Sequence, residues 1–160
     1  MTRSFVSHSV EETIELGRML SEEAAPDSCY VLTGDLGAGK THLTKGFAAG
    51  LGVTEDITSP TFAIVESYDS GRLPLLHWDL YRLEEEWELD DVDWYGLTES
   101  GAVSLVEWGD KFPRALPDDC TFVKVRVLED GSRSIELSKR AAPNVAVMLR
   151  GIQPMFRHCL

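Results

Sequence analysis

The stretch Gly34-Asp35-Leu36-Gly37-Ala38-Gly39-Lys40-Thr41 fits the pattern G-x-x-x-x-G-K-[ST], the phosphate-binding loop of P-loop nucleotide hydrolases and kinases. Residues 29–33 before it form an apolar run with β-branched and aromatic members, which predicts a buried strand. Residues 42–51 after it carry apolar side chains at helical spacing, which predicts a helix that ends at Gly52. Strand, glycine loop and helix in this order are the context that the motif requires, so the stretch predicts nucleotide binding.

The residue types of this loop, called the P-loop below, suit the binding of phosphates. Glycines let the backbone bend around phosphate groups and expose its N–H groups, and the following helix N-terminus adds free donors. Lys40 is expected to reach the β- and γ-phosphates, and the Thr41 hydroxyl is expected to ligate Mg²⁺. The base-recognition motif N-K-x-D of GTPases is missing, because the only asparagine, Asn144, precedes Val145. We therefore expect ATP and Mg²⁺ as cofactors.

Length and charge limit the classes of partner. The 160 residues suit one domain, and 27 acidic against 15 basic residues give a net charge of −12. Such a chain lacks the basic surface that a strong direct grip on tRNA or on an anionic membrane needs, although it can dock onto a basic protein. Because no signal peptide or membrane-length apolar run is visible, we expect a cytoplasmic protein whose three cysteines, Cys29, Cys120 and Cys159, stay reduced.

The rest of the chain predicts an α/β fold. Ser9, with Glu12 three residues later, opens a predicted amphipathic helix. Two pairs of alternating segments around turn residues, 61–68 with 73–78 and 121–128 with 133–137, predict β-hairpins. Helices thus alternate with strands early in the chain, and antiparallel pairs follow. We predict a three-layer P-loop NTPase-like domain with a mixed parallel and antiparallel sheet over residues 1–138. Residues 139–160 have four bases and no acid, and we predict a basic, flexible C-terminal extension, with a partner-binding or self-packing segment as the alternative.

A P-loop site needs a second carboxylate near the metal, usually directly after a buried apolar strand. Glu107 follows the apolar run 103–106, and Asp79 follows a similar run. We favour Glu107 for binding Mg²⁺ through a water. We favour Asp79 for orienting the attacking water or sensing the γ-phosphate. The alternative is that either acid is simply a solvent-exposed residue at the end of a strand. Pro60 stiffens the loop that carries Thr61, which could respond to the γ-phosphate as a switch does, unless it is a plain capped loop.

Five segments in this order resemble the TsaE family, bacterial P-loop ATPases of tRNA threonylcarbamoyladenosine biosynthesis. Besides the P-loop they are an S-x-x-x-T-x-x-x-G segment at 9–17, S-P-T-F at 59–62, H-W-D-L-Y-R-L at 77–83 and V-E-W at 106–108. The chain departs from the usual pattern at His42, where the family commonly has a second threonine. The resemblance implies that Thr41 and Glu107 ligate Mg²⁺, that Lys40, Thr61, Asp79 and Glu107 serve catalysis, and that Trp108, Thr13 and Arg133 lie near the nucleotide.

The resemblance also implies a function. It is that of an ATP-binding and ATP-hydrolysing accessory protein, required for threonylcarbamoyl modification of the adenosine beside the anticodon in tRNAs that decode ANN codons. Such a protein works in a complex with the transferase proteins, and we expect turnover that is slow alone and stimulated by them. Two alternatives remain, a P-loop small-molecule kinase and a non-enzymatic, ATP-dependent partner-binding switch. A kinase needs a lid with several arginines, and this requirement argues against the kinase, because Arg72 and Arg82 are the only arginines between Arg18 and Arg114.

Overall fold

The computed structural model of the protein describes residues 2–35 and 37–140. The strands of this part, in chain order, are β1 (Thr2–Ser7), β2 (Cys29–Gly34), β3 (Val65–Tyr68), β4 (Leu75–Asp79), β5 (Val103–Glu107), β6 (Thr121–Val127) and β7 (Arg133–Lys139). Its α-helices are α1 (Val10–Ser21), α2 (Lys40–Gly50), α3 (Glu88–Asp91) and α4 (Trp94–Leu97), and two 3-10 turns lie at Gly109–Lys111 and Pro113–Ala115.

All of these strands belong to one mixed sheet with the order β1-β7-β6-β2-β5-β4-β3. The four central strands β6, β2, β5 and β4 pair in parallel. β7 pairs antiparallel with β6, β3 pairs antiparallel with β4, and β1 pairs antiparallel with β7. The mixed sheet predicted from the sequence is therefore confirmed. Because the parallel strands end at the same edge, the P-loop after β2 lies beside the ends of β4 and β5, where α/β folds bind their ligands.

Helices cover both faces of the sheet. Leu43 and Phe47 of α2, together with Leu20 of α1, pack on one face against Tyr30 and Leu105. The opposite face is covered by α3, α4 and the 3-10 turns, where Trp78 and Trp94 meet edge to face with ring centroids 4.8 Å apart. The arrangement is the predicted three-layer domain, and side chains that alternate along each strand supply both cores.

The two predicted hairpins form, but the first is shorter than predicted. The pairs β3–β4 and β6–β7 are antiparallel neighbours, as expected. The prediction of a strand from Thr61 is wrong for residues 61–64, since β3 begins at Val65. The N–H of Ile64 donates to the Pro60 carbonyl at 2.7 Å, and Ile64 has a φ of 67°, so a tight turn replaces the strand. This turn holds Thr61 at the edge of the sheet where the P-loop lies.

Helix α1 begins as its capping residues predict. The Glu12 N–H donates to the Ser9 hydroxyl at 3.1 Å, which satisfies a donor of the first helical turn. The Glu12 carboxylate accepts in return, at 2.6 Å, from the His8 N–H rather than from that of Ser9. The cap fixes the direction in which β1 enters α1, and with it the position of Thr13 one turn further on.

Helices α1 and α2 approach each other closely at Gly46. A Cβ atom at Gly46 would lie 1.9 Å from the Ile14 carbonyl oxygen. We expect Gly46→Ala to lower the free energy of unfolding by about 1–3 kcal/mol, because α2 must move away from α1. Urea unfolding measures this, with Glu11→Ala on the exposed side of α1 as a control expected to change stability by less than about 0.5 kcal/mol. An unchanged urea midpoint for Gly46→Ala would contradict this helix packing.

Residues 141–160, most of the predicted basic extension, lie outside the described residues, so the domain boundary at Ser138 stays a prediction. Cys29 and Cys120 are free, buried thiols, and burial raises the pKa of both; Cys159 lies outside the described part. None of the helices in residues 2–35 and 37–140 has both the length and the apolar character of a membrane span.

Candidate functional site

A cleft of about 920 Å³ lies at the carboxyl ends of β2, β4 and β5. Its volume falls within the range of roughly 300–1,000 Å³ that is typical of small-molecule sites. Ala38, within the P-loop, is fully buried, and Leu36 falls outside the described residues. The other site residues predicted from the sequence all line this cleft: Thr13, Gly34, Asp35, Gly37, Gly39, Lys40, Thr41, Thr61, Asp79, Glu107, Trp108 and Arg133.

Within the P-loop, the residue directly before α2 has a left-handed backbone conformation. Gly39 has a φ of 106°, which favours glycine, and Lys40 begins the helix. The first N–H groups of an α-helix have no partner within the helix, so the start of α2 presents donors toward the cleft. The Lys40 ammonium donates to the Gly34 carbonyl at 2.9 Å and so spans the loop. This arrangement of amide donors, helix dipole and ammonium is suited to an anion.

Two carboxylates stand side by side at the edge of the sheet that carries the P-loop. Asp79 and Glu107 are the last residues of the parallel strands β4 and β5 and are direct partners in the strand register. Adjacent like charges destabilise each other unless donors or cations compensate them. Asp79 accepts from the Tyr81 N–H at 3.0 Å, and the Nε2 atom of His77 lies 3.2 Å from a Glu107 oxygen. Within the described residues, a backbone N–H thus holds Asp79, and an imidazole nitrogen lies at hydrogen-bond distance from Glu107.

The S-P-T-F segment lies at the mouth of the cleft. The hydroxyl oxygens of Ser59 and Thr61 are 2.9 Å apart, and both residues line the cleft. Phe62 is 87% exposed, and the Arg82 guanidinium carbon lies 5.3 Å from the centroid of its ring. The structure therefore places Thr61 at the site, whereas Arg82 stacks on an exposed aromatic ring.

Trp108 lies between Glu107 and the P-loop residue Lys40. It follows Glu107 directly and has a φ of 63°, which is unusual for a bulky residue. Its ring centroid lies 5.6 Å from the Lys40 ammonium and 5.0 Å from the ring of Tyr81. The Lys111 ammonium in turn donates to the Tyr81 carbonyl at 2.7 Å. The left-handed backbone thus directs the indole back over the cleft.

Thr13 and Arg133 flank the P-loop at Gly39. The Thr13 methyl group and the Arg133 Nε atom lie 3.7 Å and 3.8 Å from the point where a Cβ atom on Gly39 would stand. The hydroxyl oxygens of Ser7 and Thr13 are 2.7 Å apart in a buried position. Next to Arg133, a hydrogen bond from the Ser132 hydroxyl lowers the pKa of Asp130. Thr13 and Arg133 therefore line the cleft beside Gly39 of the P-loop.

Sequence reasoning did not assign several residues that line the same cleft. The β1–α1 junction contributes four of them, although its Ser9 shows in the sequence as a helix cap. Tyr81 belongs to the H-W-D-L-Y-R-L segment, which signals its closeness to Asp79 but not its contact with Trp108. These additional lining residues are Ser7, His8, Ser9, Val10, His42, Thr44, Ile57, Thr58, Ser59, His77, Tyr81 and Gly131.

Residues 7–135 match the family model of the threonylcarbamoyl adenosine biosynthesis protein TsaE. The chain belongs to the TsaE family. It is 38% identical over 141 residues to the tRNA threonylcarbamoyladenosine biosynthesis protein TsaE of Nostoc sp., covering 86% of each chain. The protein of the same name from Bacillus subtilis is 42% identical over 125 residues, covering 78% of each chain. The crystal structure of Bacillus subtilis YdiB superposes with a TM-score of 0.74 at 32% identity, covering 100% of this chain and 97% of that chain.

Membership of the TsaE family confirms the resemblance predicted from the five sequence segments. All five segments lie within the matched residues 7–135, and side chains from each of them line one cleft. The P-loop sequence alone is shared by many families, so the S-P-T-F, H-W-D-L-Y-R-L and V-E-W segments carry the distinction. The fold brings these TsaE segments together because four of them follow or end a strand, and S-P-T-F precedes the antiparallel strand β3, at the same edge of the sheet.

Proposed function

We propose that this chain is a Mg²⁺-dependent ATPase that supports threonylcarbamoyl modification of the adenosine beside the anticodon in ANN-decoding tRNAs. The observation that carries the proposal is the meeting of P-loop, Thr61, Asp79 and Glu107 in one cleft. The relatives named above are tRNA threonylcarbamoyladenosine biosynthesis proteins, and their names support the assignment of this chain to the same pathway. A protein that serves tRNA modification works where tRNA is modified, so we place it in the cytoplasm.

The residues of the cleft fit a magnesium ion bound together with a nucleotide. Among the described residues, no group of three or more His, Cys, Asp and Glu side chains is placed to hold a metal by itself. Magnesium in nucleotide sites takes only one or two protein oxygens, and phosphates and waters supply the others. The Thr41 hydroxyl and the Glu107 carboxylate line the cleft and are oxygen donors of this kind. When bound, the ion would neutralise charge on the phosphate oxygens.

The chain's own residues divide the work of hydrolysis. The ammonium of Lys40 would leave the Gly34 carbonyl and bind phosphate oxygens, while the N–H groups at the start of α2 bind others. Asp79 is fixed by the Tyr81 N–H and would accept a hydrogen bond from the attacking water and so orient it. Thr61, on the turn after Pro60, would contact the γ-phosphate, so that the turn responds to whether ATP or ADP is bound. Thr13, Trp108 and Arg133 would contact the rest of the nucleotide.

Partner proteins of the tRNA threonylcarbamoyl-transferase complex would accelerate this reaction. Phosphoryl transfer depends on positioning and on charge stabilisation, and the site has few cations besides Lys40. Arg82 stacks on Phe62 in the present conformation. The acidic segment 84–93 directly follows the H-W-D-L-Y-R-L segment that contains Arg82, and its Trp87 is 64% exposed. We propose this segment as the docking face for a basic partner surface, which would order Thr61 and Asp79 or add a positive charge.

Separate replacement of the two carboxylates tests the proposed roles. Glu107→Ala should weaken Mg²⁺-dependent ATP binding and turnover together, because it removes a metal contact. Asp79→Ala should leave binding within about threefold and lower turnover on the order of 100-fold or more, as expected for a group that acts mainly in the transition state. Calorimetric titration with ATP and Mg²⁺, combined with phosphate release, measures both.

Three results would change the proposal. If Asp79→Ala abolishes the Mg²⁺ dependence of binding and Glu107→Ala does not, the two roles are exchanged. If the wild-type protein and its partners bind ATP without any phosphate release, the chain is a non-enzymatic switch. Transfer of phosphate from ATP to a small metabolite, detected with labelled ATP, would instead show a small-molecule kinase.

A further inference from the structure

The imidazole of His77 lies almost completely buried beside the proposed magnesium ligand. The residue is 4% exposed, and its Nε2 atom lies 3.2 Å from the Oε2 atom of Glu107. Its Nδ1 atom is buried and has no hydrogen-bond partner within residues 2–35 and 37–140. Within residues 2–35 and 37–140, the contact between Nε2 and Glu107 is therefore the one side-chain hydrogen bond of this imidazole.

The strand register explains how His77 reaches Glu107. His77 and Asp79 are two residues apart on β4, so their side chains project from the same face of the sheet. Asp79 pairs with Glu107 on β5, while His77 pairs with Leu105. The imidazole thus lies two residues before Asp79 on the same face of the sheet, and it reaches diagonally to Glu107 on the neighbouring strand. The spacing H-x-D on one strand and the final acid of the next strand create this contact.

The chemistry of the pair fixes which nitrogen donates. A carboxylate only accepts hydrogen bonds, so the Nε2 atom carries the proton that Glu107 accepts. Nδ1 then holds a lone pair, because a proton there would be a buried donor without an acceptor. An apolar side chain would fill this buried place without leaving a polar atom unpaired. A histidine here is thus explained by its hydrogen bond to Glu107 and not by packing.

We propose that His77 is a positioning residue, which holds one oxygen of Glu107 so that the carboxylate keeps its orientation toward the magnesium ion. The proposal rests on the proposed function of the cleft. Groups that orient metal-binding carboxylates typically change metal affinity by about 10–100-fold when they are removed. The Glu107 side chain is 16% exposed, so part of it remains open to the cleft while Oε2 is held. His77 itself would touch neither nucleotide nor metal.

Two substitutions of similar polarity separate positioning from packing. In His77→Gln the amide nitrogen stands the same number of bonds from the backbone as the histidine Nε2 atom, so it can still donate to Glu107. In His77→Asn the amide nitrogen is one bond closer to the backbone and cannot reach. We expect His77→Asn to raise the Mg²⁺ concentration for half-maximal ATP binding by roughly tenfold, and His77→Gln to raise it by less than about threefold.

The measurement is titration of a fluorescent ATP analogue at increasing Mg²⁺, with a parallel titration in EDTA and a thermal unfolding scan. Affinity in EDTA should stay unchanged in both variants, because Lys40 and the P-loop amides are not altered. The effect should also depend on Glu107: in a Glu107→Ala background, adding His77→Asn should change the Mg²⁺ requirement by less than about twofold. This dependence is a readout that a merely structural role would not produce.

Each outcome decides between the alternatives. An unchanged Mg²⁺ requirement in His77→Asn, or an equal effect in the Glu107→Ala background, overturns the positioning role. Equal damage in both variants, loss of affinity in EDTA, or failure of both to fold makes His77 a structural residue and also overturns it. If the wild-type protein shows no Mg²⁺-dependent binding, the proposed function itself fails, which is a different result from normal wild-type binding with an insensitive His77.

Discussion

Lys40→Ala is expected to lower the ATP affinity of this protein on the order of 100-fold or more. Hydrogen bonds to charged groups contribute about 1.5–3 kcal/mol each, and a loss of about 2.7 kcal/mol corresponds to 100-fold. Lys40 begins α2 and lines the cleft, and its ammonium contacts the Gly34 carbonyl of the same loop and the face of Trp108. Calorimetric titration with ATP in the presence of Mg²⁺ measures the affinity.

Lys45→Ala is the matched control for this experiment. Lys45 lies on the same helix but is exposed and does not line the cleft, so the same change in charge should leave ATP affinity within about twofold. The thermal midpoint of Lys40→Ala should fall by only a few degrees, because one hydrogen bond to Gly34 is lost, which contributes about 1 kcal/mol. Near-normal ATP affinity in Lys40→Ala would show that the P-loop assignment is wrong.

Partner proteins are expected to raise the rate of ATP hydrolysis by roughly 10³-fold, within the range of about 10³–10⁵-fold that an added arginine supplies in related reactions. The isolated chain should be slow, since Lys40 is the cation of the P-loop and Arg82 stacks on Phe62. Steady-state phosphate release, measured for the protein alone and with the transferase complex, gives the ratio. High salt should reduce the stimulation, because exposed charges are screened.

Charge reversal in the acidic segment tests where the partner docks. The double substitution Asp90→Lys and Asp91→Lys should weaken stimulation and leave the basal rate of the lone protein unchanged, because both residues are exposed and lie outside the cleft. Glu11→Lys, on the exposed side of α1, is the control for the change in net charge. Fast turnover by the lone protein that partners do not change would contradict the accessory role.

The parts of the fold that depend on local sequence were predictable. The P-loop, its flanking strand and helix, the α1 cap and both hairpins each follow from residues close together in the chain. The beginning of β3 was not predictable in this way. Residues 61–64 are of types that are common in strands. The hydrogen bond from the Ile64 N–H to the Pro60 carbonyl closes a turn there instead. A β-branched residue at positive φ gives no sequence signal of its own.

The contacts inside the site depend on which strands become neighbours. The sequence marks both Asp79 and Glu107 as strand-end acids, but only the pairing of β4 with β5 makes them direct partners. The same pairing brings His77 to Glu107, thirty residues apart in the chain. The left-handed Trp108 and its approach to Lys40 likewise follow from the packing of distant segments. Local patterns therefore identify the candidate residues, and long-range register determines their partners.

The most direct test of the central claim, that ATP use in this cleft supports tRNA modification, is the threonylcarbamoyladenosine content of tRNA. The native cell is depleted of this protein and supplied with either the wild-type chain or Lys40→Ala at equal abundance, and modified nucleoside in total tRNA is measured by mass spectrometry. We predict that the wild-type chain restores the modification and that Lys40→Ala leaves it near the depleted level. Unchanged threonylcarbamoyladenosine after depletion, or full restoration by Lys40→Ala, would contradict the account.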